Sequence, residues 1–380
     1  MVSLGVDSQY RIERMRKLIL RPEFTGEAYR WTMKDSGGAD STVSTEREFI
    51  FVAEKPGTYA LRLDIIDAQN PVMQEVEINV DEESVAYSRY ITEVYEYRPA
   101  PGQFVNIMPL YEEGDTEEDM CRKARESISG TNDIMISLGG YGGYVTFGFD
   151  HTVVNVPGQK DFKILGNAFY ADANPNPSAP DSGGSCAPGI VMVSIDQNNN
   201  GLPDDEWYEL RGSDTGKEGT IQNYAVTYYR PAGRQMDVQW TDSEGKSGCI
   251  DYLITYHQQD YYYPAWVRED TYTLYGTRLA PNNVQDPETG YWENKTYDWG
   301  YADNFSPKDN LGGDVVDGSG QTNGFRISNA MHRDGTPADL QYVDFIKVQT
   351  GVQVKSGWLG EVSTEVFSFT DLSIATDNEK

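Results

Sequence analysis

The stretch Gly57-Thr-Tyr59-Ala-Leu61-Arg-Leu63-Asp-Ile65 decides the fold class of this sequence. Its large apolar side chains alternate with small or charged ones, which is the period of a strand with one buried face. Pro56-Gly57 supplies a turn before the stretch, and residues 67–71 supply a turn after it. The pattern therefore predicts an antiparallel β-strand in a small β-sandwich.

The residues around this strand, from about 10 to 80, carry further strand patterns. Several short strands joined by turns over this length are typical of an immunoglobulin-like sandwich. The acidic stretch Asp81–Ser84 follows and is a suitable linker. We predict a first domain over residues 1–82. Its other strands are predicted at Tyr10–Leu20, Tyr29–Met33, Glu48–Ala53 and Val72–Val80.

Residues 83–380 predict a second, larger domain, an antiparallel β-sandwich or jelly roll with one short helix, so the whole chain is all-β. No helical pattern alternates with the strands, which argues against parallel βαβ folds. The strands are predicted at Ile134–Leu138, Tyr144–Phe149, Ile190–Ile195, Tyr224–Tyr229, Ile250–Tyr256, Tyr342–Gln349 and Glu361–Phe369.

The helix is predicted after Asp115, which is placed to cap it with Glu118 three residues later. Met120, Ala124 and Ile128 recur every four residues on one face, and Gly130 ends the pattern. Such a helix packs across a sheet or serves as a lid, and packing is the more ordinary role.

The charge balance excludes several partners. The chain has 31 basic and 60 acidic residues, a net charge of −29. Nucleic-acid binding depends on Lys and Arg that neutralise phosphates, so we predict no nucleic-acid partner. An anionic membrane surface is excluded for the same reason, whereas divalent cations are favoured.

The three cysteines, Cys121, Cys186 and Cys249, match no zinc or redox spacing, and an odd number argues against a disulfide framework. No apolar signal region opens the sequence. We therefore expect an export signal and a lipid anchor upstream of the first residue.

The segment Asp196–Glu206 carries the clearest chemical motif. Oxygen-bearing side chains occupy alternate positions, and Gly201 allows the sharp turn that a short calcium loop needs. Position twelve is Trp207 and not the glutamate that ends an EF-hand, so the loop is more similar to those of secreted calcium-binding repeats. The alternative is an Asx-rich turn without metal. The predicted Ca²⁺ ligands are Asp196, Asn198, Asn200, Leu202, Asp204 and Glu206.

Calcium is plentiful outside cells and scarce inside them. The predicted loop is therefore indirect evidence that the protein is exported.

We predict no catalytic residues. His151, His257 and His332 lie far apart in the sequence and form no metal-binding motif. Gly139–Gly143 lacks the following helix of a phosphate-binding loop, so it predicts a turn. A carboxylate pair of a glycoside hydrolase leaves no recognisable sequence motif, and that activity stays open.

Two aromatic stretches are candidate ligand platforms, because rings on loops offer flat surfaces with polar tips. The alternative is that these rings cover the edges of the core. The predicted ligand-binding residues are Tyr261, Tyr262, Tyr263, Trp266, Tyr291, Trp292 and Trp299.

Several phrases also carry a family resemblance. In the first domain, Tyr29–Trp31, Phe49–Phe51 and Gly57–Ile65 resemble a PKD-like immunoglobulin-type domain. Over nearly all of residues 95–370 the chain resembles PKD-bearing cell-surface proteins of gut Bacteroidetes. The phrases there are Glu96–Asn106, Ile136–His151, Phe162–Phe169, Trp207–Leu210, Val343–Gly351 and Gly360–Glu365.

This resemblance implies an outer-membrane lipoprotein that captures a nutrient for a TonB-dependent transporter, with a corrinoid such as vitamin B12 favoured. It supplies no ligand-binding residues. The alternatives are a calcium-dependent, lectin-like glycan-binding protein, a jelly-roll glycan hydrolase, and a structural or adhesive surface protein.

Overall fold

The computed structural model describes residues 4–34, 38–67, 71–130, 134–170, 184–306, 308–311 and 321–374. Within these ranges the chain forms many short strands, one α-helix and two single 3₁₀ turns. The predicted all-β class with one short helix is confirmed. No helix in the described ranges has the length and apolar character needed to cross a membrane.

The chain divides into two compact units, and the first comprises residues 1–87 with 151–156. Its main sheet has the order β1-β7-β6-β3-β4, and β2 and β5 form a second sheet. Trp31 of the main sheet stacks on Phe49 of the second, with ring centroids 5.5 Å apart, so the two sheets enclose one core. The strands are β1 (Gln9–Glu13), β2 (Leu18–Leu20), β3 (Ala28–Lys34), β4 (Asp40–Ser44), β5 (Phe49–Phe51), β6 (Gly57–Ile66) and β7 (Val72–Asp81).

The strand predicted from the opening stretch is β6. Leu61, Leu63 and Ile65 are buried in the core, as the alternation predicts. The single strand predicted over Tyr10–Leu20 is wrong, because β1 and β2 belong to different sheets. Between them Met15 has a positive φ of 58°, a fully buried side chain and a backbone N–H that donates to the Ala53 carbonyl at 2.8 Å.

The second unit comprises residues 88–150 and 157–380. A six-stranded sheet has the order β23-β15-β14-β24-β10-β8, and a four-stranded sheet has the order β22-β11-β25-β9. Phe147 and Phe369 meet between these sheets, with ring centroids 3.9 Å apart. A second four-stranded sheet has the order β18-β17-β16-β19, and two hairpins complete the unit. Its strands are β8 (Glu93–Arg98), β9 (Ile136–Ser137), β10 (Tyr144–Val154), β11 (Phe162–Gly166), β12 (Phe169–Tyr170), β13 (Gly184–Ser185), β14 (Gly189–Ser194), β15 (Trp207–Leu210), β16 (Ile221–Tyr229), β17 (Val238–Asp242), β18 (Ser247–Ile250), β19 (Thr271–Arg278), β20 (Asn283–Gln285), β21 (Trp292–Asn294), β22 (Gln321–Phe325), β23 (Ala330–Met331), β24 (Tyr342–Thr350) and β25 (Glu365–Asp371).

The helix α1 (Glu117–Ile128) begins one position later than predicted. Thr116 is its N-cap, and Thr116 and Asp119 form a reciprocal capping box. The predicted cap Asp115 instead accepts hydrogen bonds from Lys123 at 2.6 Å and from the Glu112 N–H at 2.8 Å. Met120, Ala124 and Ile128 are fully buried, so the predicted packing face is confirmed.

One predicted strand of the second unit is a loop over most of its length. Strand β18 ends at Ile250, and residues 251–256 form no strand. The backbone N–H groups of Tyr256 and His257 both bond to the Leu253 carbonyl at 3.0 Å, which folds this segment into a turn. Its apolar residues therefore face solvent: Ile254 is 63% exposed and Tyr256 is 59% exposed.

Candidate functional site

The predicted calcium loop folds its polar side chains towards one another. The amides of Asn198 and Asn200 each donate to the Asp204 carboxylate at 3.0 Å, and these bonds lower the pKa of Asp204. Asp196 accepts from the backbone N–H groups of Asn200 at 3.0 Å and Gly201 at 3.1 Å.

Asn198, Asn200 and Asp204 therefore meet through their side chains, whereas Asp196 bonds to the backbone of the same loop. In this arrangement amide nitrogens, not oxygens, face Asp204, so a bound cation requires both amides to rotate. Leu202 is exposed, and Glu206 accepts a hydrogen bond from the Tyr208 hydroxyl at 3.0 Å. Calcium at this loop stays a prediction.

The first predicted aromatic stretch is mostly core. Tyr262, Tyr263 and Trp266 are 0%, 1% and 6% exposed, so these rings offer no open platform and the predicted exposure is wrong for them. Trp266 stacks on Tyr97 with centroids 5.6 Å apart. Tyr261 keeps 37% of its surface exposed.

Tyr262 has a clear structural task. Its hydroxyl accepts from the Leu253 N–H at 3.0 Å and donates to the His257 carbonyl at 2.9 Å. One buried phenol therefore ties together both ends of the turn that carries Tyr256. The sequence pattern predicts an exposed Tyr262 ring, whereas the ring is buried in the core.

That turn forms one wall of a cleft of about 300 Å³, which we call the Trp358 cleft. Its rim carries Tyr256 and Trp358, which are 59% and 51% exposed and whose ring centroids lie 6.0 Å apart. Two large exposed rings side by side form a platform that a flat ligand face can cover. The inner lining includes Gln103, Asn294 and Glu361.

The second predicted aromatic stretch, around Trp292, packs against the segment that carries Trp358. Trp292 lies against Gly357, where an added Cβ would clash with the indole Nε1. Gly357 also has a positive φ of 56°. Both the lack of space for a Cβ and this backbone conformation therefore favour glycine at position 357. Asn294, on the same hairpin as Trp292, accepts from the Ser356 hydroxyl at 2.7 Å. The neighbouring Tyr291 is 65% exposed.

Sequence reasoning missed Tyr256 and Trp358. Tyr256 was assigned to a strand, where its ring would have counted as half-buried packing. Trp358 stands in the run Ser356-Gly-Trp-Leu-Gly360, and a tryptophan between two glycines is a recognisable mark of an exposed turn.

Glu361 is the unusual polar group of the Trp358 cleft. It is only 6% exposed, and its Oε1 accepts from the Gln103 N–H at 2.6 Å. Its Oε2 is buried without a hydrogen-bond partner among the described residues. Burial raises the pKa of Glu361 to about 8, with a smaller contribution from Glu365. A buried oxygen of this kind requires an explanation, such as water or a ligand.

Glu365 and Asp303 lie deeper and serve the structure. Glu365 accepts from the hydroxyls of Ser137, at 2.9 Å, and Ser363, and its pKa is raised by burial to about 7. Asp303 accepts from the backbone N–H groups of Asn167 and Ala168, each at 2.8 Å, and of Glu365, at 2.9 Å. Burial, with Glu365 nearby, raises the pKa of Asp303 well above its usual range.

No Lys or Arg lines the Trp358 cleft among the residues described. Its histidine, His257, packs edge-on against Phe104 with centroids 4.7 Å apart, and burial lowers its pKa. The described lining therefore offers no strong positive charge to an anionic ligand at pH 7.

Trp299 lies elsewhere, in a second cleft of about 290 Å³ that we call the Trp299 cleft. The two clefts share no lining residue. Trp292 and Trp299, both predicted to bind ligand, therefore lie at two different clefts.

The cysteines differ in exposure. Cys121 and Cys186 are buried, which raises their thiol pKa values to about 11 and about 12. Cys249 is partly exposed and lies with Asp237 and Asp251 in a group whose ligand atoms are within 4.8 Å. Asp251 is already paired with Lys355, so this group is not an open metal site.

No protein-family model and no curated protein matches this sequence. Several solved structures resemble this chain, but with low sequence identity and low TM-scores. A SusE-like protein is 10% identical with a TM-score of 0.29, and 97% of each chain is covered. A structure described for carbohydrate-binding modules of the β-sandwich superfamily is 12% identical with a TM-score of 0.17, covering 95% of this chain and 94% of that one.

SGBP-B from a mixed-linkage glucan utilisation locus of Bacteroides ovatus, solved with a heptasaccharide, is also 12% identical. Its TM-score is 0.15, over 89% of this chain and 94% of that one. These values are too low to assign a family or a function. The resemblance to PKD-bearing surface proteins stays a prediction.

Proposed function

We propose that this protein is a non-catalytic carbohydrate-binding protein of the bacterial cell surface that holds a neutral glycan in the Trp358 cleft. The observation that supports this most strongly is the exposed pair of Tyr256 and Trp358 above a polar inner lining. Aromatic rings stack on the C–H faces of sugars, while a few placed polar groups bond to the hydroxyls and fix the orientation.

The electrostatics of the cleft favour an uncharged ligand. With its pKa raised to about 8, Glu361 is mostly protonated at pH 7. A neutral carboxyl group both donates and accepts hydrogen bonds, as a sugar hydroxyl does. The absence of Lys and Arg from the described lining leaves no partner for a sulfate or uronate group.

The two glutamates of the cleft support binding more than hydrolysis. A glycoside hydrolase needs one protonated and one ionised carboxyl group across the scissile bond. Environments that push two pKa values apart identify such a pair. Here burial raises the pKa of Glu361 to about 8 and that of Glu365 to about 7, so the two values move in the same direction and are not pushed apart.

The size of the cleft favours the glycan alternative over a corrinoid. A volume of about 300 Å³ is at the low end for ligand pockets, and a corrinoid macrocycle needs a far broader apolar shelf. Delivery to a TonB-dependent transporter stays a prediction from the resemblance.

The cell-surface location is part of this proposal, and the predicted calcium loop supports it because calcium is plentiful outside cells.

Calorimetry of the full chain with neutral cello-, xylo- and manno-oligosaccharides tests the proposal. Trp358→Ala should weaken binding by about 1 kcal/mol or more, the usual threshold for a real contributor. Tyr275→Ala is the matched control, because Tyr275 is 66% exposed and does not line this cleft.

Three outcomes would contradict the proposal. Binding of cyanocobalamin without any glycan would favour the corrinoid prediction. Steady release of sugar from the oligosaccharides would favour a hydrolase. Equal loss from the Tyr275 variant would place the site outside the Trp358 cleft.

A further inference from the structure

The Trp299 cleft concentrates positive charge in a strongly acidic protein. Four of its eleven lining residues are basic, Lys160, Arg211, Lys308 and Arg326. At the average of the whole chain, 31 basic residues in 380, eleven residues would include about one. The lining therefore differs from the rest of the molecule in both the sign and the density of its charge.

Two of these cations are already neutralised. The Lys160 ammonium bonds to Asp309 at 3.0 Å and to the Gly324 carbonyl at 2.9 Å, so it holds the cleft together. Lys308 pairs with Asp298. Neither lysine needs a ligand to satisfy its charge.

The two arginines are not neutralised in this way. Arg211 donates to the Gly335 carbonyl at 3.0 Å, which satisfies one N–H, and no acidic side chain among the described residues pairs with its positive charge. The Arg326 side chain makes no hydrogen bond or ion pair with any residue that the structure describes. Both side chains are exposed, so both guanidinium groups are accessible from solvent.

The guanidinium group has a specific ligand preference. Its planar fork of N–H donors matches the two oxygens of a carboxylate or the oxygens of a sulfate. Trp299 adds a partly exposed indole to the same lining. An indole beside arginine suits a sugar ring that carries an acidic group.

We propose that the Trp299 cleft binds an acidic saccharide, with Arg211 and Arg326 pairing to its carboxylate or sulfate and Trp299 packing on its ring. This site is separate from the Trp358 cleft and does not depend on the function proposed there. The protein would then bind a neutral glycan at one cleft and an acidic saccharide at the other.

The experiment uses the full chain and four defined ligands. Oligogalacturonate carries carboxylates, its methyl ester is the matched neutral ligand, a carrageenan tetrasaccharide carries sulfates, and cellotetraose is neutral. Calorimetry at low and moderate NaCl should show binding of at least one acidic ligand. That binding should weaken several-fold with salt, because exposed ion pairs are screened. Whether the carboxylate or the sulfate ligand binds identifies the acidic group.

Arg211→Gln and Arg326→Gln should each weaken acidic binding about tenfold, which is the effect of losing one charge-assisted contact. Arg333→Gln is the control, since Arg333 is exposed, carries the same charge and does not line this cleft. The net charge of −29 suppresses non-specific anion binding, so the background should be low.

The proposal fails if neither acidic ligand binds at low salt. It also fails if Arg333→Gln weakens binding as much as the cleft variants do, because the effect would then be one of overall charge. Loss of acidic binding in Trp358→Ala with none in Arg326→Gln would assign the acidic ligand to the other cleft.

Discussion

The Trp358 cleft and the Trp299 cleft both carry exposed or partly exposed aromatic rings but differ in the burial of their charged groups. In the first, Glu361 and Glu365 are buried, and burial raises the pKa of both carboxyl groups, which keeps Glu361 mostly protonated at neutral pH. In the second, the guanidinium groups of Arg211 and Arg326 are exposed to solvent. The comparison shows that burial, and not the net charge of the chain, decides the electrostatic character of a site.

The largest expected effect concerns Glu361, whose folded-state pKa of about 8 lies above the ordinary value of 4.5. The native state therefore binds more protons than the unfolded state between these values. The stabilisation is fully present below pH 4.5 and is lost as pH rises through 8. By linkage, the free energy of unfolding that is lost is on the order of 5 kcal/mol.

Glu361→Gln should remove most of the stability loss that the wild-type protein shows as pH rises, because glutamine does not ionise. Denaturant unfolding at pH 5, 7 and 9 measures it, with the exposed Glu113→Gln as control. If wild type and Glu361→Gln lose the same stability between pH 5 and 9, burial of Glu361 does not distinguish the clefts as argued.

A smaller effect is expected from calcium, which should leave both clefts unchanged. No residue of the loop 196–206 lines either cleft. A ligand that binds only the folded loop stabilises by about 2.7 kcal/mol at a concentration one hundred times its dissociation constant. Calcium should therefore raise the melting temperature in wild type and not in Asp196→Ala, without altering either glycan affinity.

Asp334→Ala is the matched control for this loop. Asp334 accepts from the Thr336 N–H at 3.0 Å in a simple turn and lies outside the predicted ligand set. A melting temperature that is insensitive to calcium in wild type would make the loop an Asx-rich turn without metal.

The smallest expected effect tests directly whether the Trp358 cleft and the Trp299 cleft bind different ligands. Trp358→Ala should weaken the neutral ligand by about 1 kcal/mol and leave the acidic ligand unchanged, and Trp299→Ala should do the reverse. Calorimetry of both variants with both ligands gives the four values needed. Equal losses of affinity in all four variant–ligand pairs would mean that the two clefts form one extended site.

Local patterns predicted the fold class because strand alternation is a property of adjacent residues. Strand β6 and the packing face of α1 follow directly from such patterns. The break at Met15 does not, because it depends on which sheet the chain joins next. The loop at Ile254 and Tyr256 was missed for a similar reason, since β-branched and aromatic residues favour strands unless the tertiary structure leaves them outside.

The candidate site was predicted by region but not by residue. The aromatic stretches around Tyr262 and Trp292 both contact segments that form the Trp358 cleft, but their role in ligand binding stays a prediction. Which rings face solvent depends on packing across the unit, which sequence spacing does not contain. Glu361 could not be distinguished from the other acidic residues, because its unpaired oxygen and its raised pKa both arise from burial.

The unequal exposure of the cysteines makes the wild-type chain suitable for optical labelling. Thiol reagents attack the accessible thiolate, so a fluorophore should attach at Cys249 before the two buried thiols react. Cys249 lines a groove that shares Glu361 and Val362 with the Trp358 cleft. A dye there would sit across a single wall from the proposed neutral-glycan site. It could report occupancy by its emission without any engineered residue.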